Sequence, residues 1–310
     1  MLCSRYFRNK FKTAPIHLAI EVTKRCNAKC RFCDYWKEDL REKWIDFKRL
    51  QNMIKPIVIS LTGGEPLLRK DLPAVIKELR ANDPHVYIMM ITNGALLTLS
   101  KAKELQEAGM DQISISLDYL GEKHDQNRGI PGLYTKILKV IPEIRKLNFA
   151  SIAFNTVIIN DNLDEIPKIL LLAQDLGIQI AFSSYSPLKN NNQAFMVKTE
   201  NREKLDKTIA FILEKKQMNR RLIKSSRYYL KNVGSYFVGE EIPNCKAGIH
   251  WVLVTPDGKM KRCSEFSSET DVDSYTLSSF KPTSCTRCWF SCRGEAQCPI
   301  NYERVKELFL

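Results

Sequence analysis

The sequence lacks long apolar runs, and its longest, such as Ile169–Ala173, extend over only a handful of residues. Because a bilayer-spanning helix needs roughly 18 or more apolar residues, we expect no transmembrane helix. No apolar segment follows the basic residues of Met1–Lys12, so we expect no secretory signal and a cytoplasmic protein.

Cysteine is too sparse for a disulfide-stapled scaffold, since there are 10 in 310 residues. Hydrophobic residues make up 44% and charged residues 27%, a mixture that excludes a disordered chain. The cysteines are clustered, and clusters in a cytosolic chain indicate metal binding or catalysis before disulfides. Cys3 stands alone, and we expect it to be inert.

The net charge of +13 is concentrated in two basic blocks. Residues 1–31 hold eight Lys and Arg with one acid, and residues 215–231 hold seven with none. Such blocks attract anionic substrates, acidic proteins, nucleic acid or membrane surfaces, or else form an ordinary solvated face. We do not expect a nucleic-acid partner. The remaining alternatives for a partner of the basic blocks are an anionic substrate and an acidic electron donor.

Short β-rich runs alternate with helical patterns along the first two thirds of the chain. The predicted strands are Ile16–Thr23, Ile57–Leu61, His85–Thr92, Gln112–Asp118, Ser151–Ile159 and Gln179–Ser186. The predicted helices are Ile45–Lys55, Leu72–Ala81, Ser100–Ala108, Leu133–Leu147, Leu163–Leu176 and Thr199–Lys216. This order predicts an α/β fold, a partial (β/α)6 TIM-like barrel whose site lies at the carboxyl ends of parallel strands.

Three regions are predicted along the chain: a basic N-terminal extension over 1–15, the partial barrel over 16–235, and a small cysteine-rich domain over 236–310. Helical periodicity fades after about residue 235, and six of the ten cysteines follow. Within this tail, Val252–Arg262 carries the turn Pro256-Asp257-Gly258 between β-rich flanks, which predicts a hairpin.

Cys26, Cys30 and Cys33 form a C-x3-C-x2-C motif directly after the first predicted strand. Three thiolates at this spacing can hold one cubic iron–sulfur cluster and leave one iron open for an exchangeable ligand. The alternative is a zinc site completed by a distant ligand. His17, the closest histidine, lies on a predicted strand and is a poor choice for that ligand.

Polar and glycine-rich motifs follow the next three strands. Gly63-Gly64-Glu65-Pro66 follows the second strand, Thr92-Asn93-Gly94 ends the third, and Ser114, Ser116 and Asp118 share one face of the fourth. Polar groups that face a barrel interior are costly without partners, so a bound ligand is expected to contact them.

The cysteine motif with Phe32 as its aromatic residue, followed one strand later by Gly63-Gly64-Glu65-Pro66, resembles the radical S-adenosylmethionine (radical SAM) superfamily. The resemblance covers roughly residues 16–190. It implies that Cys26, Cys30 and Cys33 hold a 4Fe–4S cluster whose open iron binds SAM. It further implies that SAM is cleaved reductively to a 5′-deoxyadenosyl radical, which abstracts hydrogen from a substrate.

The resemblance also implies a set of SAM-binding residues that match the family's motifs. Arg128 belongs to His124–Gly129, which matches an HDxxRG stretch, and Asn155 matches a strand-five asparagine. The implied SAM-binding residues are Phe32, Gly63, Gly64, Glu65, Pro66, Asn93, Ser116, Asp118, Arg128 and Asn155.

The cysteine-rich tail resembles the SPASM and shorter twitch domains of the same superfamily, which carry auxiliary clusters. It departs from the full SPASM pattern, having six cysteines rather than seven and its last two gaps in reversed order. The implied ligands of one auxiliary 4Fe–4S cluster are Cys245, Cys263, Cys285 and Cys288, with Cys292 and Cys298 as alternative or second-cluster ligands. A four-cysteine zinc knuckle is the alternative.

The resemblance implies an enzyme, and we expect an oxidoreductase that acts on a small molecule or a cofactor or lipid precursor. The auxiliary cluster would assist oxidation or substrate binding, and a flavodoxin or ferredoxin would supply electrons. The alternatives are a peptide- or protein-maturing enzyme and a non-catalytic iron–sulfur or zinc-binding module. The sequence identifies neither the substrate nor a further catalytic residue.

Overall fold

The computed structural model describes residues 2–12, 14–38, 42–265 and 269–309. Within these ranges, every helix is too short or too polar to cross a membrane. The side chain of Cys3, which we expected to be inert, lies outside the described residues.

Nine strands form one sheet in the order β6-β5-β4-β3-β2-β1-β7-β8-β9. The first six are β1 His17–Thr23, β2 Val58–Gly63, β3 Tyr87–Thr92, β4 Gln112–Ser116, β5 Ser151–Ile158 and β6 Gln179–Ser184. All six are parallel, and each lies within two residues of its predicted start and end. The predicted open α/β barrel is confirmed.

The helices of the described residues are α1 Leu2–Phe11, α2 Phe47–Ile54, α3 Leu72–Asn82, α4 Leu99–Glu107, α5 Glu122–Arg128, α6 Leu133–Ile144, α7 Glu165–Asp175, α8 Arg202–Met218, α9 Arg227–Lys231, α10 Val233–Phe237, α11 Ser291–Gln297 and α12 Tyr302–Phe309. Helices α2 to α7 lie in the connections between consecutive parallel strands, as crossovers require. The six predicted helices correspond to α2, α3, α4, α6, α7 and α8. The shorter helices carry too few turns for a periodic pattern to identify them.

The basic N-terminal extension forms helix α1. Arg5 is ion-paired with Asp83, and its Nη1 donates to the Pro56 carbonyl at 3.2 Å. Asn9 is buried, and its amide donates to the Pro15 carbonyl at 2.9 Å. Part of the first basic block is therefore used to attach α1 to the barrel.

The predicted hairpin is present as β7 Trp251–Val254 and β8 Lys259–Lys261, which pair antiparallel and are followed by β9 Glu269–Asp271. Strand β7 also pairs in parallel with β1, from His17 opposite Trp251 to Ile20 opposite Val254. The tail thus extends the barrel sheet, and the proposed boundary near residue 235 stays a prediction. Two short helices, α11 and α12, lie beyond that residue.

Two of the parallel strands, β3 and β6, have a buried outer face and a partly exposed inner face. In β3, Ile88 and Met90 are fully buried beneath the helices, whereas the alternate residues Tyr87, Met89 and Ile91 are partly exposed. Strand β6 repeats this alternation, whereas every residue of β4 is buried. Water therefore reaches the inner face of the barrel along β3 and β6.

Helix α11 packs between the two ends of the six-stranded barrel. Its Ala296 packs against Trp251 and Leu253 of β7, and the Ser291 amide donates to the Ser183 hydroxyl of β6 at 3.4 Å. The helix therefore closes the side of the barrel that the sheet leaves open between β6 and β7.

One lysine of each basic block is buried and does not contribute to a charged surface. Lys24 is buried, and its ammonium lies 2.9 Å from Glu21 and 3.3 Å from Glu38. Lys216 is also buried, and it donates to the Ile223 carbonyl at 2.8 Å. Both residues serve internal pairing, which a count of charges along the sequence cannot reveal.

Candidate active site

The first cysteine loop follows β1 at the carboxyl end of the barrel and is fastened to α5. The Lys29 amide donates to the Arg128 carbonyl at 2.9 Å, and the Arg31 amide donates to the Asn127 carbonyl at 3.1 Å. Within the loop, the Cys33 amide donates to the Cys30 carbonyl at 3.2 Å. These bonds fix the loop's path independently of any ligand.

The three thiols of this loop influence one another electrostatically. Burial raises the pKa of the Cys26 thiol to about 11, and Cys30, Glu65 and Cys33 add to the rise. Burial also raises the pKa of Cys30, which the Arg128 guanidinium opposes from a distance of 3.6 Å between Nη1 and Sγ. Because metals bind thiolates, a metal at this loop would displace the thiol protons.

Gly63 and Gly64 bring β2 against the start of the cysteine loop. A Cβ on Gly63 would lie 2.1 Å from the Thr23 carbonyl oxygen, and one on Gly64 would lie 2.2 Å from that of Arg25. The Gly64 and Glu65 amides donate to these same two carbonyls, each at 2.8 Å. The pair of glycines is therefore required by the close approach of two backbones.

Glu65 is fully buried and links the β2 and β3 loops. Its carboxylate accepts from the Thr92 hydroxyl at 2.6 Å, the Asn93 amide at 2.7 Å and the Leu67 amide at 3.1 Å. Burial raises its pKa, which these three bonds oppose. Pro66 begins the short 3-10 helix that follows. A direct contact between Glu65 and a ligand stays a prediction, whereas its bracing contacts are observed.

Asn93 connects the end of β3 to the cysteine loop. Its amide nitrogen donates to the Asn27 side-chain oxygen at 2.8 Å, and its own side-chain oxygen accepts from the Ala95 amide at 2.8 Å. Three segments far apart in sequence, the cysteine loop and the loops after β2 and β3, therefore meet at one place.

Asp118 and Arg128 form a buried ion pair beneath the cysteine loop. The Asp118 carboxylate also accepts from the Val157 amide at 3.0 Å and from the Asn127 side chain at 3.4 Å. Asp118 lies just beyond β4, which ends at Ser116 rather than at Asp118 as predicted. His124 is buried and accepts from the Asp118 amide at 3.4 Å, and burial holds its pKa well below its usual range.

Ser116 and Asn155 lie opposite each other on the inner faces of β4 and β5. Asn155 is partly exposed to the barrel interior. The structure thus places both predicted residues on the surface that a ligand inside the barrel would contact.

An aromatic cluster that the sequence did not indicate supports the cysteine loop. Phe32 packs edge-to-face against Phe195 and Tyr185, with ring centroids 6.0 and 6.4 Å apart. The Arg128 guanidinium lies 5.4 Å from the Phe32 ring centroid on another side. The two aromatic partners follow β6, and no local pattern links them to a motif more than 150 residues away.

The tail brings four of its cysteines into one neighbourhood beside β7. Burial raises the pKa of Cys288 to about 12, and Cys245 and Cys263 contribute to the rise. Burial likewise raises the pKa of Cys245, and Cys285 adds to it. Cys245, Cys263 and Cys285 also pack in one cluster with Trp251. The predicted auxiliary set is thus brought together.

The remaining two tail cysteines differ in position. Cys292 packs at the margin of the same cluster. Cys298 is buried elsewhere: burial raises its pKa to about 11, and the charged groups that influence it are Arg304, Glu295, Glu307 and Lys10 rather than other thiols. Among the described residues, no three His, Cys, Asp or Glu side chains surround a point closely enough to hold a single metal ion.

Comparison with known proteins agrees with this site. A family model described as the Radical SAM superfamily matches residues 20–173. A protein of Metallosphaera sedula named as a probable GTP 3′,8-cyclase is 30% identical over 260 residues, covering 79% of this chain and 80% of the relative. An AdoMet-dependent heme synthase of Methanosarcina barkeri is 34% identical over 175 residues, covering 53% and 48%.

Solved structures agree in fold. SuiB of Streptococcus suis, bound to its precursor peptide SuiA, superimposes with a TM-score of 0.67 at 15% identity. The match covers 89% of this chain and 66% of SuiB. This likeness shows the fold, and the family model spans the cysteine loop. The chain belongs to the radical SAM superfamily, whose members use SAM and a 4Fe–4S cluster.

Proposed function

We propose that this enzyme cleaves SAM reductively and abstracts a hydrogen atom from a small-molecule substrate inside the barrel. The observation that carries the proposal is the convergence of Cys26, Cys30 and Cys33 with the Gly63-Gly64 backbone at the carboxyl ends of β1 and β2. Cys26, Cys30 and Cys33 would hold the 4Fe–4S cluster, which when reduced would supply the one electron needed to cleave SAM to the 5′-deoxyadenosyl radical.

The residues of the first loop fit such a cluster. They offer three soft thiol ligands and no fourth cysteine nearby, which leaves one iron free for the SAM methionine group. In our proposal Gly63, Gly64 and the backbone around Pro66 border the SAM position.

The other predicted SAM residues divide into two roles in our proposal. Phe32, Asn93, Ser116 and Asn155 border the ligand, since they lie at the loop or on the inner barrel face. Glu65, Asp118 and Arg128 hold the loops in place, since their buried side chains are already bonded to the protein.

A small-molecule substrate is supported by the curated relatives. This chain covers four fifths of the Metallosphaera sedula relative, whose name specifies GTP. The Methanosarcina barkeri relative is named for heme, also a small molecule. An oxidoreductase class stays a prediction, because a cyclase name describes ring closure rather than oxidation.

We propose one auxiliary 4Fe–4S cluster, held by Cys245, Cys263, Cys285 and Cys288. These thiols share one neighbourhood, whereas Cys298 lies among charged residues of α1 and α12. Strand β7 pairs with β1 of the barrel, so a cluster beside β7 would lie next to the barrel. In that position it would assist oxidation or bind the substrate.

We also propose that an acidic flavodoxin or ferredoxin docks beside the first loop. Lys29 and Lys37 lie 5.6 and 5.4 Å from the ring centroid of Trp36, which is itself exposed. Arg31 is exposed next to them and lies 3.7 Å from Asp161. Positive charge around an exposed aromatic ring would steer an acidic partner toward the cluster, more weakly as salt rises.

The test replaces Cys26, Cys30 and Cys33 by Ala together and measures 5′-deoxyadenosine under anaerobic dithionite. We expect the product to disappear, because the three thiols are the only protein ligands that the proposal gives the cluster. Cys298→Ala is the matched control and should keep the product at the wild-type level. Continued SAM cleavage by the triple variant would refute the proposal.

A further inference from the structure

The inner face of the barrel carries a layer of polar side chains at the end opposite the cysteine loop. Four parallel strands, β3 to β6, each begin with an inward polar residue, and we call these four residues the strand-start layer: Tyr87, Gln112, Ser151 and Gln179. Their positions are remote from the strand ends where SAM is expected, and the proposed function assigns them no role.

The strand-start layer is connected by hydrogen bonds across the strands. The Tyr87 hydroxyl donates to the Gln112 side-chain oxygen at 2.9 Å, and the Gln112 amide nitrogen donates to the Ser114 hydroxyl at 2.7 Å. Ser151 donates to the Gln179 side-chain oxygen. Burial raises the pKa of Tyr87, so its phenol is neutral. The layer is therefore uncharged in itself.

Lys224 adds a positive charge to this layer. The segment 222–224 runs parallel beside β6, with the Lys224 amide donating to the Ile180 carbonyl at 2.9 Å and Ile223 opposite Ile180. Ile223 is buried on the outer face, so Lys224 points inward. Its ammonium lies 3.5 Å from the Gln179 oxygen and 5.5 Å from the Tyr87 ring centroid.

Lys224 is exposed to solvent at this end of the inner face, beside Tyr87 and Gln179, which are partly exposed. The other two residues of the strand-start layer, Gln112 and Ser151, are buried. Desolvation by the surrounding protein and the nearby Lys216 together lower the pKa of Lys224 to about 8.

Nearby carboxylates are already paired with other cations. Asp111, which influences Tyr87, is ion-paired with Arg80, and Glu307 lies 3.6 Å from Lys216. Among the described residues, no carboxylate forms an ion pair with Lys224. This end of the inner face therefore carries a cation without a carboxylate partner among the described residues, beside the neutral side chains of Gln179 and Tyr87.

We propose that Lys224 and the strand-start layer form a subsite for an anionic group of the substrate, a phosphate or a carboxylate. The proposal rests on the proposed function, since it assumes that the substrate occupies the barrel. Gln112 and Ser116 are four residues apart on β4, a separation of about 13 Å. A substrate bound at both levels would therefore be elongated, with its anion remote from the reacting carbon–hydrogen bond.

The test measures binding to the anaerobically reconstituted full-length enzyme by calorimetry, with pyrophosphate, acetate and GTP as separate probes. We expect the wild type to bind at least one probe and Lys224→Met to bind it at least about tenfold more weakly, because a charge-assisted contact is lost. Lys224→Arg should stay within about threefold. Lys231→Met is the matched control, because Lys231 belongs to the same basic block and is likewise exposed but lies on helix α9, and it should bind like the wild type.

The results distinguish a phosphate from a carboxylate as the anionic group. They also separate a failure of the subsite from a failure of the proposed function. Binding of pyrophosphate and GTP without acetate indicates a phosphate, and acetate alone indicates a carboxylate. Absence of binding to the wild type, or equal binding by Lys224→Met, overturns the subsite. Equal unfolding midpoints exclude misfolding, and Lys224→Gln replaces Lys224→Met if the latter does not fold. SAM cleavage by the wild type without substrate tests the proposed function separately.

Discussion

At the scale of single residues, the candidate site is held by charges that the barrel buries. Asp118 is fully buried and Arg128 nearly so, and each also contacts a backbone or thiol of a different segment. A buried pair of this kind contributes little net stability, but removing one partner leaves an uncompensated charge inside the protein. The positions of the loops around the cysteines therefore depend on the pair remaining intact.

We expect Asp118→Asn to lower the free energy of unfolding by about 3–5 kcal/mol, because Arg128 stays charged and buried. Urea unfolding of the cluster-free protein under reducing conditions measures this loss. Asp164→Asn is the matched control: Asp164 lies 2.8 Å from Lys204 and is 71% exposed, so the change should stay within about 0.5 kcal/mol. Equal effects of the two variants would contradict the structural role of Asp118.

At the scale of elements, α11 is the piece whose placement completes the barrel wall. It contacts β6 through Ser183 and β7 through Trp251, and its Gly294 lies against the Tyr229 ring of α9. That ring is fixed, because its hydroxyl accepts from the Ser184 amide at 2.6 Å and its face stacks on Trp289. The close fit sets the distance between α11 and the rest of the barrel.

Two glycine-to-alanine changes separate packing from helix propensity. A Cβ on Gly294 would lie 2.5 Å from the Tyr229 ring, so we expect Gly294→Ala to destabilise by about 1–3 kcal/mol despite the better helix former. In α10, a Cβ on Gly234 would lie no closer than 3.4 Å to any neighbour, so Gly234→Ala should stabilise by about 0.5–1 kcal/mol. Thermal unfolding midpoints measure both, and a stabilising Gly294→Ala would show that α11 is not tightly packed.

At the scale of the whole molecule, the sheet joins two groups of thiols that are far apart in sequence. The first follows β1, and the second surrounds β7, which pairs with β1 directly. This pairing fixes the two groups relative to one barrel interior.

Iron content tests the number of clusters. We expect the reconstituted enzyme to contain about eight irons per chain, since two cysteine groups would each hold four. Replacing Cys245 and Cys263 by Ser should reduce the content to about four, whereas Cys298→Ser should leave it at about eight. Quantitative iron analysis measures each value. About twelve irons in the wild type, or a loss of four in Cys298→Ser, would refute the single auxiliary cluster.

The parallel strands and the long helices were predictable because their signals are local. Apolar runs bounded by Gly, Pro, Asn and Asp locate a buried strand within a few residues, and the motifs after β1 and β2 are short and contiguous. Helices α5, α9 and α11 have seven, five and seven residues, too short for periodicity to identify. The pairing of β7 with β1 joins segments more than 200 residues apart, which no local pattern encodes.

The sequence by itself determined the kind of chemistry, because the spacing of Cys26, Cys30 and Cys33 is a property of one short loop. Only the tertiary structure decided which charged side chains are used in internal contacts and which are not. Lys24 and Lys216 are used in internal contacts, whereas Lys224 lies exposed beside the neutral Gln179 and Tyr87. The physical reason is that burial and pairing depend on neighbours brought together by long-range packing, and a charge count along the chain contains no such information.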